Sequence, residues 1–221
     1  MSKQFWGVLV VIALIFVGIF VFSGNKNANT TGSSTTKPTQ NIEGEGKDHV
    51  TLVEYGDFEC PYCEEYFPIV KQVAAQYNTQ IYFQFRNFPL TSIHPNAFAG
   101  ARAAEAAALM GQFWEMHDTL YESSNWEQWS TASDPTPFLY DYAQELGLNL
   151  TKFKTLFAST KVNNLVNADM TAGNNLNIQG TPTFYLDGKQ IQPAPTVASF
   201  STFINSAIKA KANSSTSTTK S

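Results

Sequence analysis

The sequence predicts an α/β fold, in which a central mixed sheet is flanked by helices and carries an inserted helical subdomain. Three observations favour this fold. Residues 50–88 follow a strand–helix–strand pattern, Ala-rich and amphipathic helical segments fill residues 95–175, and a short hairpin and a last helix follow. The chain has 221 residues, of which 43% are hydrophobic, so it can bury a substantial core.

The strand–helix–strand unit begins with a β-branched, apolar run. Residues 50–55 are typical of a buried strand, which ends at Gly56. Pro61 then opens a helix that extends to about Tyr77, since proline is well tolerated at a first helical position. Residues 80–88 alternate apolar and polar side chains, which indicates a second strand.

The inserted subdomain is a series of helical segments between about residues 95 and 175. Its first part is rich in Ala and other strong helix formers. Gly147 and Asn149 separate the shorter segments that follow.

The chain closes with a hairpin and a helix. Residues 183–186 predict a short strand, and the Asp-Gly pair at 187–188 predicts a two-residue turn into a partner strand at 189–192. An amphipathic pattern at residues 196–208 indicates the final helix.

Both ends of the chain differ in composition from this body. Residues 5–22 are an apolar run without a charge, so we expect residues 1–22 to be an uncleaved transmembrane anchor; a cleaved signal peptide and a buried helix are the alternatives. Lys3 precedes the run, which favours an extracytoplasmic body on a single-pass membrane protein. Polar composition predicts a flexible linker at 23–47 and a disordered tail at 209–221.

The overall charge excludes one large class of partners. With 14 basic and 18 acidic residues the formal net charge is -4. This is the wrong sign for a protein that binds phosphate backbones, so we expect no nucleic-acid partner.

Cys60 and Cys63 are the two cysteines of the chain, and they follow a predicted strand at the start of a predicted helix. With Pro61 at the first helical position, Cys60 is the N-cap, where unpaired backbone N–H groups and the helix dipole favour a thiolate. We therefore expect a lowered pKa for Cys60 and not for Cys63, which lies a turn further inside. Nearby carboxylates oppose this shift and leave its size open. They are Asp57, Glu59, Glu64 and Glu65.

Redox exchange competes with three other interpretations of this pair. A structural disulfide stabilises little, because so short a loop removes little entropy from the unfolded chain. A zinc site needs two more ligands, for which the scattered His49, His94 and His117 are the candidates. A reduced, inert pair does not fit an exported protein, since oxidising surroundings close such a motif. Redox exchange is favoured.

Several motifs occur together in an order that points to one family. They are residues 53–63 (VEYGDFECPYC), 88–90 (FPL), 93–96 (IHPN), 113–114 (FW) and 180–184 (GTPTF). Over about residues 48–208 the chain resembles the DsbA family of thiol–disulfide oxidoreductases, and more narrowly its membrane-tethered bacterial members. The resemblance implies a thioredoxin-like fold with a helical insertion.

The resemblance also assigns roles to residues of the site. Cys60 matches the exposed nucleophile and Cys63 the buried resolving cysteine. Pro182 matches the family's cis-proline, and the loop that it shares with Thr181 packs beside the disulfide and pairs with extended substrate. We expect Thr181, Pro61 and Tyr62 to contact substrate.

Glu54 is the fourth catalytic residue that the resemblance implies. It matches the buried acid that many thioredoxin-fold enzymes keep beneath the active site, where it would exchange a proton with Cys63. The alternative is a solvent-facing strand carboxylate. His94, by contrast, precedes a proline and a helix, so we expect it to start the helix.

These features predict an oxidase that donates the Cys60–Cys63 disulfide to exported proteins. The family implies reduced or unfolded exported proteins as substrates, and a membrane reoxidant similar to DsbB or to vitamin K epoxide reductase. We expect no cofactor and no metal. A reductase or isomerase is the alternative, because the Pro-Tyr pair between the cysteines resembles that of glutaredoxins. A redox-inert chaperone or binding module is a further one.

Overall fold

The computed structural model describes residues 36–218, with side chains described as far as residue 214. The predicted membrane anchor at residues 1–22 and the first part of the predicted linker lie outside this range. Among the residues that are described, no helix has both the length and the apolar character needed to cross a membrane.

A mixed sheet forms the centre of the described part of the chain. Its strands are β1 (Asn41–Glu43), β2 (Val50–Gly56), β3 (Ile81–Asn87), β4 (Thr183–Leu186) and β5 (Lys189–Ile191), in the spatial order β1-β3-β2-β4-β5. The central pair β2 and β3 is parallel, and each of the other neighbouring pairs is antiparallel. The predicted mixed sheet is confirmed.

Strand β2 occupies the middle of the sheet, and this decides the surroundings of Glu54. The register places Glu54 between Phe85 on β3 and Phe184 on β4. A strand that is paired on both sides has no open edge, and layers of side chains cover both faces of the sheet. A carboxyl in this position is therefore held inside the protein.

Two helices cover one face of the sheet: α1 (Pro61–Gln76), which connects β2 to β3, and α8 (Val197–Thr218), which ends the described chain. Their apolar side chains, such as Val73 and Phe200, join those of the strands in one buried cluster. The helix that the sequence predicts at Pro61 is confirmed.

The insertion consists of further helices between β3 and β4, as the sequence predicts. They are α2 (Ala97–Ala108), α3 (Phe113–Tyr121), α4 (Ser123–Ser130), α5 (Thr136–Glu145), α6 (Leu150–Phe157) and α7 (Thr160–Asn175). Their buried side chains form one continuous cluster with Phe58, Phe85 and both cysteines. The insertion therefore shares its core with the candidate site.

The predicted linker is wrong for its last residues. Strand β1 pairs with the edge strand β3, and both the amide and the hydroxyl of Thr39 donate hydrogen bonds of 2.7 Å to the Asp169 carboxylate on α7. Polar composition alone indicated disorder, but backbone pairing with an edge strand and a buried carboxylate offset the cost of ordering the segment.

The predicted disordered tail is also corrected, because α8 continues to Thr218. Ala and Lys in residues 208–212 are good helix formers, and they extend a helix that packing has already nucleated. Lys211 forms an ion pair with Asp187, at 3.2 Å. Residues 219–221 lie outside the described part.

Candidate active site

The two cysteines occupy the junction where β2 leads into α1. Cys60 is the N-cap of α1, with extended backbone angles (φ -73°, ψ 123°), and Pro61 follows at the first helical position. Cys63 lies one turn inside the helix. Both thiols are free in this structure. The predicted position of Cys60 at the helix N-cap is therefore confirmed.

A loop from the far end of the insertion covers the Cys60 sulfur. The Thr181–Pro182 peptide is cis, and the thiol of Cys60 donates to the Thr181 carbonyl oxygen at 3.4 Å. Only 4% of Cys60 is exposed. The expectation of an exposed nucleophile is corrected: the loop that lies beside the sulfur also shields it.

The Cys60 thiolate is strongly stabilised in this position. The pKa of Cys60 is lowered from 9.0 to about 6, chiefly by a hydrogen bond from the Cys63 thiol. Burial opposes this effect, and the Thr181 side chain and the backbone N–H groups of Tyr62 and Cys63 add to it. At neutral pH most of Cys60 is thiolate. The helix N-terminus acts as the sequence predicts, but the neighbouring thiol contributes more.

The carboxylates near the cysteines are engaged with other groups. Glu59 accepts a bond of 2.5 Å from the Asn96 backbone N–H, and Glu64 accepts one of 2.5 Å from the Ser123 hydroxyl. Asp57 is bonded to a separate set of donors. None of these groups is among the causes that shift the pKa of Cys60. The nearby carboxylates therefore do not cancel the lowering of this pKa.

Cys63 has the opposite surroundings. It is 1% exposed, packs within the aromatic cluster of the insertion, and accepts a bond of 3.5 Å from the Asp57 backbone N–H. Burial raises the pKa of Cys63 well above 9.0, and the hydrogen bond to Cys60 and the charges of Cys60 and Glu54 raise it further. Cys63 is a neutral thiol at neutral pH.

Glu54 lies beneath the pair, with 4% of its surface exposed. Its pKa is raised from 4.5 to about 8, first by burial and then by the Cys60 charge. The alternative of a solvent-facing carboxylate is therefore wrong. A carboxyl with this pKa holds a proton at neutral pH and can still release it.

Asp57 and His94 form a contact that the sequence analysis missed. The Asp57 side chain is fully buried, and its Oδ2 lies 2.6 Å from His94 Nδ1 and accepts from the Leu90 amide at 2.8 Å. His94 thus fastens the loop after β3 to the loop that precedes Cys60, instead of starting α2. The one available signal was the presence of Asp57 directly after a strand.

Two residues of α3 also reach the site from the insertion. The Tyr121 hydroxyl is buried without a hydrogen-bond partner among the described residues, and its pKa is raised well above 10.0 by burial and by the charges of Cys63 and Glu54. His117, one turn earlier, is enclosed by aromatic rings. No local pattern in the sequence marks either residue as part of this site.

A groove runs beside the cysteines at the surface. Its volume is about 280 Å³, and its lining includes Tyr62, Thr181 and Pro182. Tyr62 is 66% exposed, which leaves its ring available for contact. Tyr62 and Thr181, which are predicted to contact substrate, and Pro182 of the predicted cis-proline loop therefore line one groove. Pro61, the neighbour of Tyr62 in the chain, is exposed. The described residues hold no group of three or more His, Cys, Asp or Glu side chains placed to bind a metal ion.

Comparison with known families agrees with this geometry. A family model described as thioredoxin matches residues 36–206, which is most of the chain. The chain belongs to the thioredoxin family. The match begins before β1 and extends into α8, so it includes the whole of the sheet and the insertion.

Solved structures show the same architecture. α-DsbA1 of Wolbachia pipientis has a TM-score of 0.68 at 19% identity, with 81% of this chain and 96% of that chain covered. A thioredoxin-like oxidoreductase of Silicibacter pomeroyi gives 0.65 at 20% identity, covering 79% and 95%. BdbD of Bacillus subtilis gives 0.63 at 23%, covering 78% and 96%. The DsbA-like fold is confirmed, and it agrees with the enzyme class that the sequence predicts, a thiol–disulfide oxidoreductase.

Curated relatives carry a different name. Na(+)/H(+) antiporter NhaA 3 of Salinispora tropica is 38% identical over 149 residues, which are 67% of this chain and 22% of that protein. Na(+)/H(+) antiporter NhaA 1 of Mycolicibacterium gilvum is 36% identical over 151 residues, 67% of this chain and 23% of that protein. The chain thus spans less than a quarter of the length of the curated relatives that it matches.

Proposed function

We propose that this protein is a membrane-tethered, extracytoplasmic thiol–disulfide oxidase, which donates the Cys60–Cys63 disulfide to exported proteins. The observation that carries the proposal is the contrast between the two thiols. The pKa of Cys60 is about 6, whereas that of Cys63 is raised well above 9.0. Stabilising the thiolate of the reduced enzyme makes its disulfide a better oxidant.

The reaction has two thiol-exchange steps. A substrate thiolate attacks the Cys60 sulfur, breaks the Cys60–Cys63 bond, and leaves Cys63 as a thiolate that takes a proton from Glu54. A second substrate thiolate then attacks the substrate sulfur of the mixed disulfide. The substrate gains a disulfide, and Cys60 leaves as a stabilised thiolate.

Substrate enters along the groove beside the cysteines. An extended segment placed there lies next to the Thr181 and Pro182 backbone, and the exposed ring of Tyr62 offers it an apolar contact. Reduced or unfolded exported proteins present such extended segments. Turnover then requires a membrane reoxidant similar to DsbB or to vitamin K epoxide reductase, whose disulfide the Cys60 thiolate attacks at the same face of the protein.

The apolar residues 5–22, which precede the thioredoxin-fold body and follow Lys3, support the proposed extracytoplasmic location. Reducing intact cells with a membrane-impermeant phosphine and then labelling them with a membrane-impermeant thiol reagent tests it. We expect Cys60 to react in whole cells with the rate that it shows in lysed cells. Reaction only after lysis would contradict the location.

Oxidative refolding tests the activity itself. The oxidised wild-type protein should restore activity to reduced, unfolded ribonuclease faster than the Cys60→Ala variant does. Equal rates would overturn the proposal. They are the result expected of a redox-inert chaperone, because such a protein does not use Cys60.

The direction of electron flow is settled by the reduction potential. An oxidase should have a potential of about -120 mV and a reductase one of about -270 mV. The Pro-Tyr pair at residues 61–62 favours the reductase alternative, whereas the low pKa of Cys60 favours the oxidase. Ion antiport is not proposed, because the match to the antiporters covers less than a quarter of their length.

A further inference from the structure

Thiol exchange places a negative charge on Cys63, and this charge arises inside the protein. When a substrate thiolate attacks Cys60, the Cys60–Cys63 bond breaks and its electron pair stays on the Cys63 sulfur. Cys63 is 1% exposed, so bulk water does not solvate the charge. A buried thiolate needs hydrogen-bond donors from the protein in place of water. The donors that reach Cys63 therefore affect how readily it leaves.

The backbone N–H of Asp57 is aimed at the Cys63 sulfur. The nitrogen and the sulfur are 3.5 Å apart. This hydrogen bond acts to lower the pKa of Cys63, against the burial and the negative charges that raise it. The carbonyl oxygen of the same residue accepts from the Cys60 N–H at 3.0 Å. The main chain of Asp57 thus contacts both members of the cysteine pair.

The Asp57 side chain anchors this stretch of main chain. Its carboxylate is fully buried. It accepts from the Glu59 and Leu90 backbone N–H groups, each at 2.8 Å. Its shortest contact is the one with His94 Nδ1, at 2.6 Å. A carboxylate only accepts hydrogen bonds, so this nitrogen carries a hydrogen and donates it. Among these donors, His94 is the one that donates from a side chain.

His94 belongs to a loop that is itself held in place. Its side chain is 15% exposed, and its backbone N–H donates to the Leu90 carbonyl oxygen at 2.9 Å. A further bond of 2.5 Å, from the Asn96 N–H to the Glu59 carboxylate, joins this loop to the turn before Cys60. The loop after β3 is therefore a fixed support, from which His94 holds the carboxylate that precedes the cysteines.

We propose that His94 is a positioning residue for thiol exchange: by holding the Asp57 carboxylate, it keeps the Asp57 N–H aimed at the sulfur of Cys63. As the Cys60–Cys63 bond breaks, this N–H stabilises the leaving thiolate. When Cys63 in turn attacks a mixed disulfide at Cys60, the same N–H increases the fraction of Cys63 that is a thiolate. The inference rests on the proposed thiol exchange, and it applies in either direction of electron flow.

The size of the effect follows from the dependence of thiol exchange on pKa. Loss of one hydrogen bond to a thiolate raises the pKa of the thiol by about 1 to 2 units. The thiolate fraction of Cys63 then falls by about ten- to a hundredfold. The remaining thiolate becomes about three- to tenfold more reactive, because nucleophilicity rises with pKa. The rate of attack by Cys63 should therefore fall by about three- to tenfold.

The test measures how fast Cys63 resolves a mixed disulfide between Cys60 and thionitrobenzoate. Attack by Cys63 on the Cys60 sulfur closes the disulfide and releases the coloured thionitrobenzoate anion, which stopped-flow absorbance follows. His94→Leu removes the donor, and we expect it to slow resolution by about three- to tenfold. The control Ile93→Ala changes the neighbouring residue of the same loop, which is 68% exposed, and should stay within about twofold of wild type.

A second measurement separates positioning from a general loosening of the turn before Cys60. Neither Asp57 nor His94 is among the causes that shift the pKa of Cys60. In proteins that carry Cys63→Ser, His94→Leu should therefore change the alkylation rate of Cys60 by iodoacetamide by less than about twofold. An alkylation rate that changes as much as the resolution rate would contradict the proposal, because a loosened turn disturbs both cysteines. So would resolution at the wild-type rate.

Two amide variants decide the question if His94→Leu does not fold. Asparagine carries its amide nitrogen near the place of Nδ1, whereas glutamine carries it near the place of Nε2, away from Asp57. His94→Asn should resolve the mixed disulfide within about twofold of wild type, and His94→Gln about threefold more slowly or less. Equal rates would overturn the role of His94. The proposed function fails in a different way: the wild-type protein itself would then not resolve the mixed disulfide, whatever the variants do.

Discussion

Replacing Cys63 tests what holds the Cys60 thiolate. The hydrogen bond from the Cys63 thiol is the largest of the causes that lower the pKa of Cys60 to about 6. A hydrogen bond to a charged group contributes about 1.5–3 kcal/mol, and about 1.4 kcal/mol corresponds to one pKa unit. Loss of this bond should therefore raise the pKa of Cys60 by about 1 to 2 units, to between about 7 and 8.

Two variants differ in this bond alone. Cys63→Ala removes the donor, whereas Cys63→Ser keeps a hydroxyl that donates from nearly the same place. We expect the alanine variant to show the raised pKa and the serine variant to stay near 6. Each protein then has one thiol, so its titration belongs to Cys60 without ambiguity.

Two measurements report the pKa. The ultraviolet absorbance of the thiolate gives it directly as pH is varied, and the rate of alkylation by iodoacetamide gives it independently, because only the thiolate reacts. The Cys60→Ser protein serves as the blank. If the alanine and serine variants titrate at the same pH, the Cys63 hydrogen bond is not what lowers the pKa, and the helix N-terminus and Thr181 must account for it.

Three further outcomes are expected. The reduction potential should fall by about 59 mV per pH unit below the Cys60 pKa of about 6 and by about 30 mV per pH unit above it. The slope changes because above this pKa only Cys63 takes up a proton on reduction. A single slope between pH 4 and 8 would contradict a thiolate at Cys60 in the reduced protein. The pKa of Glu54 is raised on folding from 4.5 to about 8, so its carboxyl costs stability as pH rises through this window. The free energy of unfolding of Glu54→Gln, relative to that of wild type, should therefore grow by about 3 kcal/mol from pH 4 to 7 in denaturant titrations. A difference that stays constant with pH would refute this. Thr39→Val should lower the free energy of unfolding by about 1.5–3 kcal/mol, because it removes a hydrogen bond to the Asp169 carboxylate. The control Thr155→Val, at an exposed position, should change it by less than about 0.5 kcal/mol. Equal effects of the two substitutions would contradict the anchoring of residues 36–43 to Asp169.

The sequence predicted the features of the fold that depend on residues close together in the chain. Apolar runs and alternation predicted β2 and β3, and the Asp-Gly pair predicted a tight turn, where Asp187 and Gly188 both have positive φ. The N-cap position of Cys60 followed from Pro61 in the same way. Each of these depends on neighbours in the chain, so the sequence was sufficient.

The missed features depend on partners that are far away in the chain. Strand β1 is short and polar, and it is ordered by β3 and by Asp169, which lies 130 residues after Thr39. The Asp57–His94 contact joins two loops across 37 residues. No periodicity marks such pairs, because a single polar residue in a loop has the same local appearance whether it is solvated or buried against a partner.

The helical insertion is needed for the chemistry that the cysteine pair is proposed to perform. Two thiols three residues apart must differ widely in pKa, although a helix N-terminus acts on both. The difference arises because Cys60 keeps the thiolate-stabilising donors, while Cys63 is buried in one cluster with aromatic side chains that α3 and α4 supply, such as Tyr121 and Trp129. A bare sheet with α1 would leave Cys63 closer to water and its pKa nearer the ordinary value. The insertion therefore separates the roles of the two cysteines.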